Sequence, residues 1–128
     1  MNYTNPKYRD TFIQAYIACA LWASLDGTTP EGGEPMDKNY QSSDLSALTL
    51  TKVEGDCNSF INVNVNDLAD YPAGAAGHDF WLTRNGHGTG FWENDYGTEE
   101  QCKALTESSH VCGECHLYVG DDGLLYLS

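Results

Sequence analysis

Apolar positions in this chain recur with the period of a helix in its first half and with that of short strands toward its end. From Tyr8 to Leu25 the residues Phe12, Ile13, Tyr16, Ile17, Ala20 and Leu21 repeat at spacings of one, three and four. That spacing predicts an amphipathic helix, supported by Ala15, Ala18, Ala20 and Ala23 as strong helix formers. Asp26-Gly27 ends it. The stretch 28–42 is rich in turn formers and reads as a long irregular loop held down by Met36 and Tyr40. Ser43-Asp44 then resembles a helix start, and Val53, Cys57, Phe60, Ile61 and Leu68 fit one helical face. The alternation of Ile61, Val63 and Val65 with asparagines fits a strand as well, and Gly55 is a candidate break, but the longer helical period favours helix. Tyr71-Pro72 closes the region, and 73–77 reads as a flexible Ala/Gly link.

The segment from His78 to Trp92 has a different texture. It reads as two short strands around Asn85-Gly86, a strong hairpin signal. A two-residue turn would pair Arg84 with His87, Leu82 with Thr89 and Phe80 with Phe91. A four-residue turn would set Trp81 opposite Trp92. Thr98, followed by Glu99 and Glu100, starts another helix whose inner face runs through Cys102, Leu105, Ser109 and Val111. A second hairpin, His116–Val119 with Leu124–Leu127, closes around Gly120-Asp121-Asp122-Gly123. The expected fold is α+β over 1–128 as one domain, with a small, mainly antiparallel sheet from two hairpins packed against two to four helices.

Charge changes the picture more than composition does. Nineteen acids against six bases give a net charge of −13. Nine acids lie in 26–70 and eight in 93–122. Such a surface repels nucleic acid and anionic lipid, so neither direct nucleic-acid binding nor membrane association is expected. The natural partners are basic proteins, metal ions or neutral ligands. No apolar run reaches membrane-spanning length and no signal peptide is evident at the start. With five cysteines, an odd number, the expectation is a reducing cytoplasm.

Three groups could carry chemistry. His78, Trp81, Arg84, Asn85, His87 and Trp92 could hold an anionic, nucleotide-like ligand through guanidinium bonds and ring stacking. The structural alternative is that Arg84 pairs with carboxylates and the rings fill the core. Glu93, Asp95, Glu99, Glu100, Asp121 and Asp122 could present fixed carboxylates to a basic groove. Cys112, Cys115 and His116 form a C-x-x-C-H pattern that suits haem attachment or part of a zinc site. Haem needs an export context, and a structural zinc site needs a second ligand pair that the spacing does not offer. No metal or other cofactor is therefore expected, and no catalytic residue is assigned.

The block Gly77-His78-Asp79-Phe80-Trp81-Leu82-Thr83-Arg84-Asn85-Gly86-His87-Gly88-Thr89-Gly90-Phe91-Trp92 resembles a motif in a family of small acidic proteins of tailed bacteriophages. Leu21-Trp22-Ala23-Ser24 and Leu117-Tyr118-Val119-Gly120-Asp121-Asp122-Gly123 resemble flanking blocks of the same family, in the same order. The resemblance implies a phage or mobile-element origin and expression in a host bacterial cytoplasm, and it implies no particular chemistry. Small acidic phage proteins often inhibit host defence nucleases or CRISPR complexes. The expectation is therefore a binding protein rather than an enzyme, acting on a basic host protein or nucleoprotein complex. A small-ligand (nucleotide-like) binding protein or enzyme centred on the 78–92 hairpin is the alternative.

Overall fold

Phe60 and Phe80 stack face to face at 4.1 Å, and the chain is wrapped around that pair. The computed structural model describes residues 5–30 and 33–128; positions 1–4 of the polar start and 31–32 of the expected loop lie outside the described residues. Helix α1 spans Pro6–Ala23. Asn5 caps it by accepting the Lys7 N–H at 2.8 Å, and Pro6 stands where a missing N–H costs nothing. Its inner face is the one expected from the spacing, with Phe12, Ile13, Tyr16, Ile17, Ala20 and Leu21 all buried.

Helix α2 spans Ala47–Val63, capped by the Ser46 hydroxyl on the Thr49 N–H. Val53, Cys57, Phe60 and Ile61 share its buried face. Gly55 does not interrupt it. The strand-like alternation at 61–66 resolves as the end of this helix followed by turns, because the Asn64 amide bonds back to Phe60 O and across to Ser108. Leu48, in the first turn of α2, points to solvent.

The largest departure from expectation is in 73–92. Residues 73–77 are no flexible link, and 78–84 are no strand. Helix α3 spans Ala73–Arg84, buries Ala76, Gly77, Phe80, Trp81 and Arg84 on one side, and lies chiefly along α1. Gly77 permits that approach: a Cβ there would run into the Phe12 carbonyl and sit 3.1 Å from the Tyr16 N. The Asn85-Gly86 pair stops the helix rather than turning a hairpin. Gly86 has φ +70°, its N–H bonds to Thr83 O, and the His87 N–H bonds to Leu82 O. This is a Schellman cap, which requires glycine at the same left-handed position that a hairpin turn would use. The chain then folds back over α3, with the Phe91 N–H on the Thr83 hydroxyl and a 3₁₀ turn at Phe91–Glu93. Phe80 and Phe91 are not cross-strand partners. Both stack on Phe60.

Helix α4 spans Glu99–Cys112, with Thr98 as its cap and Gly113 as its stop. Cys102, Leu105 and Ser109 face inward as expected, whereas Val111 is exposed. Two antiparallel pairs complete the α+β fold. Strands β1 (Leu25–Asp26) and β2 (Glu34–Pro35) pair across the long loop. Strands β3 (Leu117–Val119) and β4 (Leu125–Leu127) form the terminal hairpin where it was expected. The loop is less irregular than its composition suggests: Met36 is buried in a 3₁₀ turn, Tyr40 packs on the core, and Asp26 accepts the Thr28 N–H and hydroxyl.

Candidate functional site

Arg84 was the cation most suited to an anionic ligand, and its donors are spent inside the protein. Its side chain is 3% exposed. Nε bonds the Gly113 carbonyl at 2.8 Å and Nη2 the Cys112 carbonyl at 3.1 Å. Nη1 reaches the Tyr16 hydroxyl and the Asp56 carboxylate, both at 3.0 Å. The end of α3 thus caps the C-terminus of α4, where carbonyls lack helical partners, and places a cation at its negative end. The role of Arg84 is structural, which removes it as an anion receptor.

The other ligand candidates divide. Trp81, Asn85 and His87 line one open cleft of about 470 Å³ together with Cys115 and His116. Asn85 shapes its floor by accepting the Cys115 N–H at 2.8 Å and donating to Trp81 O at 3.0 Å. Trp81 is 3% exposed and its indole N–H has no acceptor among the described residues. His78 lies outside the cleft, on the exposed face of α3 beside the Trp22 ring. Trp92 is exposed beyond the fold-back and does not line it either.

Asp79 bonds the Tyr71 hydroxyl. Burial raises its pKa above the ordinary carboxyl value, against the Tyr71 bond, which lowers it. A folded pKa above the unfolded one means that ionisation opposes folding. The favourable contribution is complete below the unfolded value of 3.8 and is lost as pH rises through the folded one. Asp79→Asn keeps an acceptor for Tyr71 and cannot ionise. Its melting temperature should exceed wild type at neutral pH, with the gap closing on acidification. A lower melting temperature at neutral pH would show that the charged bond outweighs burial.

The acidic candidates Glu93, Asp95, Glu99, Glu100, Asp121 and Asp122 all face solvent. Several are held by local bonds. Glu93 accepts from the Thr89 hydroxyl and the Gly90 N–H. Asp122 accepts from the Tyr126 hydroxyl at 2.5 Å and the Leu124 N–H at 3.0 Å, and the Tyr126 bond keeps its pKa below the usual carboxyl value. Glu99 and Glu100 sit in the first turn of α4. Lys38 and Lys52 are paired with Glu34 and Asp56, so they do little to offset the acidic surface.

Among the described residues no three His, Cys, Asp or Glu side chains gather as a metal site. Cys112 is exposed, Cys115 sits against Tyr16 and Asn85, and His116 stacks on Tyr118. Burial pushes the Cys19 thiol up to about 12 and the Cys57 thiol well above its ordinary value, so neither is a nucleophile at neutral pH.

Sequence reasoning missed one feature: shallow depressions continue from the cleft along β3, past Leu25 and Met36. The short apolar run Leu117–Val119 marks the strand, but nothing local places Leu25 and Met36 beside it. No helix of the described residues is long and apolar enough to cross a membrane. No protein-family model, curated protein or solved structure matches the chain.

Proposed function

We propose that the protein is a non-enzymatic acidic binder that occupies the basic surface of a nucleic-acid-handling host protein, as a phage-encoded inhibitor of a CRISPR or restriction complex in the bacterial cytoplasm would. The observation that carries this reading is the fate of Arg84. With its guanidinium turned inward and bonded on every nitrogen, the 78–92 segment offers no arginine to a phosphate. The exposed carboxylates that follow are Glu93 in a 3₁₀ turn, Asp95 in the connection, and Glu99 and Glu100 at a helix start. Carboxylates at fixed separations are what a groove built for phosphates recognises.

The test is capture from bacterial lysate with the tagged full chain. A basic nucleic-acid-binding protein should be retained at about 50 mM salt, released by about 200 mM, and displaced by duplex DNA. Replacing Glu93, Asp95, Glu99 and Glu100 by lysine should abolish capture. Retention of only neutral or acidic proteins, or indifference to the four substitutions, would sink the reading.

A second reading follows from the cleft. A small ligand would seat against the Asn85 side chain and the exposed His87 ring, which line the cleft beside Trp81. A neutral nucleoside is the first ligand class to test, since no Lys or Arg lines the cleft. Thermal shift with a nucleoside panel decides: a rise absent in Asn85→Ala supports this reading, and no rise across the panel removes it.

A further inference from the structure

A row of rings runs along one face of the terminal hairpin. Tyr118 and Tyr126 are cross-strand partners, with centroids 5.9 Å apart and planes 28° from parallel. His116 lies two residues before Tyr118, on the same face, with its ring 6.3 Å away and 9° from parallel. Neighbours of this kind limit how far the Tyr118 ring can turn. Tyr118 is still 40% exposed.

The hairpin turn adds carboxylates to the rings. Tyr118 and Tyr126 line a cavity of about 410 Å³ together with Val119, Gly120, Asp121 and Asp122. Its walls are held in place. A Cβ at position 120 would run into the Tyr126 ring, so glycine lets that ring lie over the turn. Asp122 is oriented by the Tyr126 hydroxyl and the Leu124 N–H, and these bonds keep it ionised at neutral pH. They use two of the roughly four lone-pair positions of a carboxylate and leave the others open. Asp121 faces solvent and makes no ion pair among the described residues.

Charge and shape select the occupant. No Lys or Arg lines the cavity, on a protein of net charge −13. A cation is drawn to the face of a tyrosine and, separately, to a carboxylate. A guanidinium can meet both at once, because its plane stacks on a ring while its N–H groups point out from the edge. An ammonium is a compact, strongly hydrated charge and does this less well. A second copy of the chain has no guanidinium to offer: Arg9 is bonded to Asn58 and Asn62, and Arg84 is buried. We infer that the pocket of Tyr118, Tyr126, Asp121 and Asp122 takes an arginine side chain of a partner protein, its plane against the tyrosine rings and its N–H groups on the carboxylates. This rests on the acidic-binder reading and names a side chain that the acidic surface engages.

The experiment titrates the ¹⁵N-labelled full chain with a capped Gly-Arg-Gly tripeptide at about 50 mM salt, where exposed charges are screened least. The amides of Tyr118, Asp121, Asp122 and Gly123 should shift and saturate. The citrulline tripeptide keeps the shape without the charge and should bind at least about tenfold more weakly, the lysine tripeptide about threefold more weakly. Asp121→Asn breaks no internal ion pair and should weaken the arginine tripeptide about threefold, and Tyr118→Leu about tenfold. If Tyr118→Leu disturbs the hairpin, Asp121→Asn and the citrulline peptide carry the test on an intact fold.

Equal binding of the arginine and citrulline tripeptides, shifts centred elsewhere on the surface, or wild-type affinity in both folded variants would overturn the proposal. So would free L-arginine binding about tenfold or more tighter than the capped peptide, which would assign the pocket to the amino acid instead of a protein side chain. The two readings fail separately. If the basic lysate protein is captured equally well by a folded chain carrying Tyr118→Leu and Asp121→Asn, the pocket proposal fails and the acidic-binder reading stands. If the wild type binds the arginine tripeptide in this pocket yet captures no basic protein, the acidic inhibitor reading fails and the pocket stands.

Discussion

Arg84→Ala should destabilise the protein by about 3–5 kcal/mol, the range seen when one partner of a buried ion pair is removed. The loss has several sources. Asp56 keeps only its exposed partner Lys52, the Cys112 and Gly113 carbonyls lose their donors, and the Tyr16 hydroxyl loses one bond. With a total stability of about 5–15 kcal/mol for a domain of this kind, a loss of this size should be plain in a urea titration as a lower midpoint with an unchanged slope. Arg84→Lys should recover little of it. An ammonium on a flexible stem cannot serve Gly113, Cys112, Tyr16 and Asp56 from one planar fork. A midpoint close to wild type in Arg84→Ala would mean that the guanidinium is not the clamp between α3 and α4. That result would return it to the pool of ligand-binding groups.

Phe80→Ala should cost a similar amount, about 3–5 kcal/mol, through the cavity it leaves. The ring is fully buried and touches three others: Phe60 at 4.1 Å, Tyr16 at 5.4 Å and Phe12 at 6.1 Å between centroids. Those rings belong to α1 and α2, which are held by contacts of their own, so collapse into the void is restricted. The Arg84 guanidinium also lies over Phe80, 5.4 Å from its centroid. The two substitutions share a contact, and the double variant should lose less than the sum of the singles. Full additivity would remove that cation–ring contact from the account. Binding to a basic partner should survive Phe80→Ala wherever the variant remains folded, since this ring reaches no surface.

The contrast between Asn85-Gly86 and Asp121-Asp122-Gly123 shows what a local motif can decide. Both read as hairpin turns. The second is one, because the residues on either side of it form two short apolar runs that pair. The first is a helix cap, because glycine with positive φ serves a Schellman motif and a hairpin turn equally. What separates the cases is the segment before the turn. Ala76, Gly77, Phe80, Trp81 and Arg84 fall on one helical face, yet Phe80 and Leu82 also fit a strand. The helix is selected by α1, against which a glycine at 77 allows close backbone contact. A similar ambiguity at 61–66 goes to helix because Asn64 finds a local acceptor in Phe60 O.

The candidate site was legible in part. Trp81, Asn85 and His87 meet in a cleft, although the hairpin argued for them does not exist. Arg84 is where residue type misleads most: guanidinium chemistry suits a phosphate and a set of helix-end carbonyls alike, and only the arrival of α4 determines which it serves.

The sequence by itself determined the α+β class, α1 and its buried face, the cap at Thr98, the terminal hairpin and the acidic surface, whereas the helix start expected at Ser43-Asp44 is a 3₁₀ turn and Ser46 caps α2. These follow from periodicity, capping chemistry and charge, which act over a few residues or over the whole composition. Only the tertiary structure decided the helical state of 73–84 and the inward turn of Arg84. Each depends on which distant segment comes to lie alongside, and no local pattern specifies that neighbour.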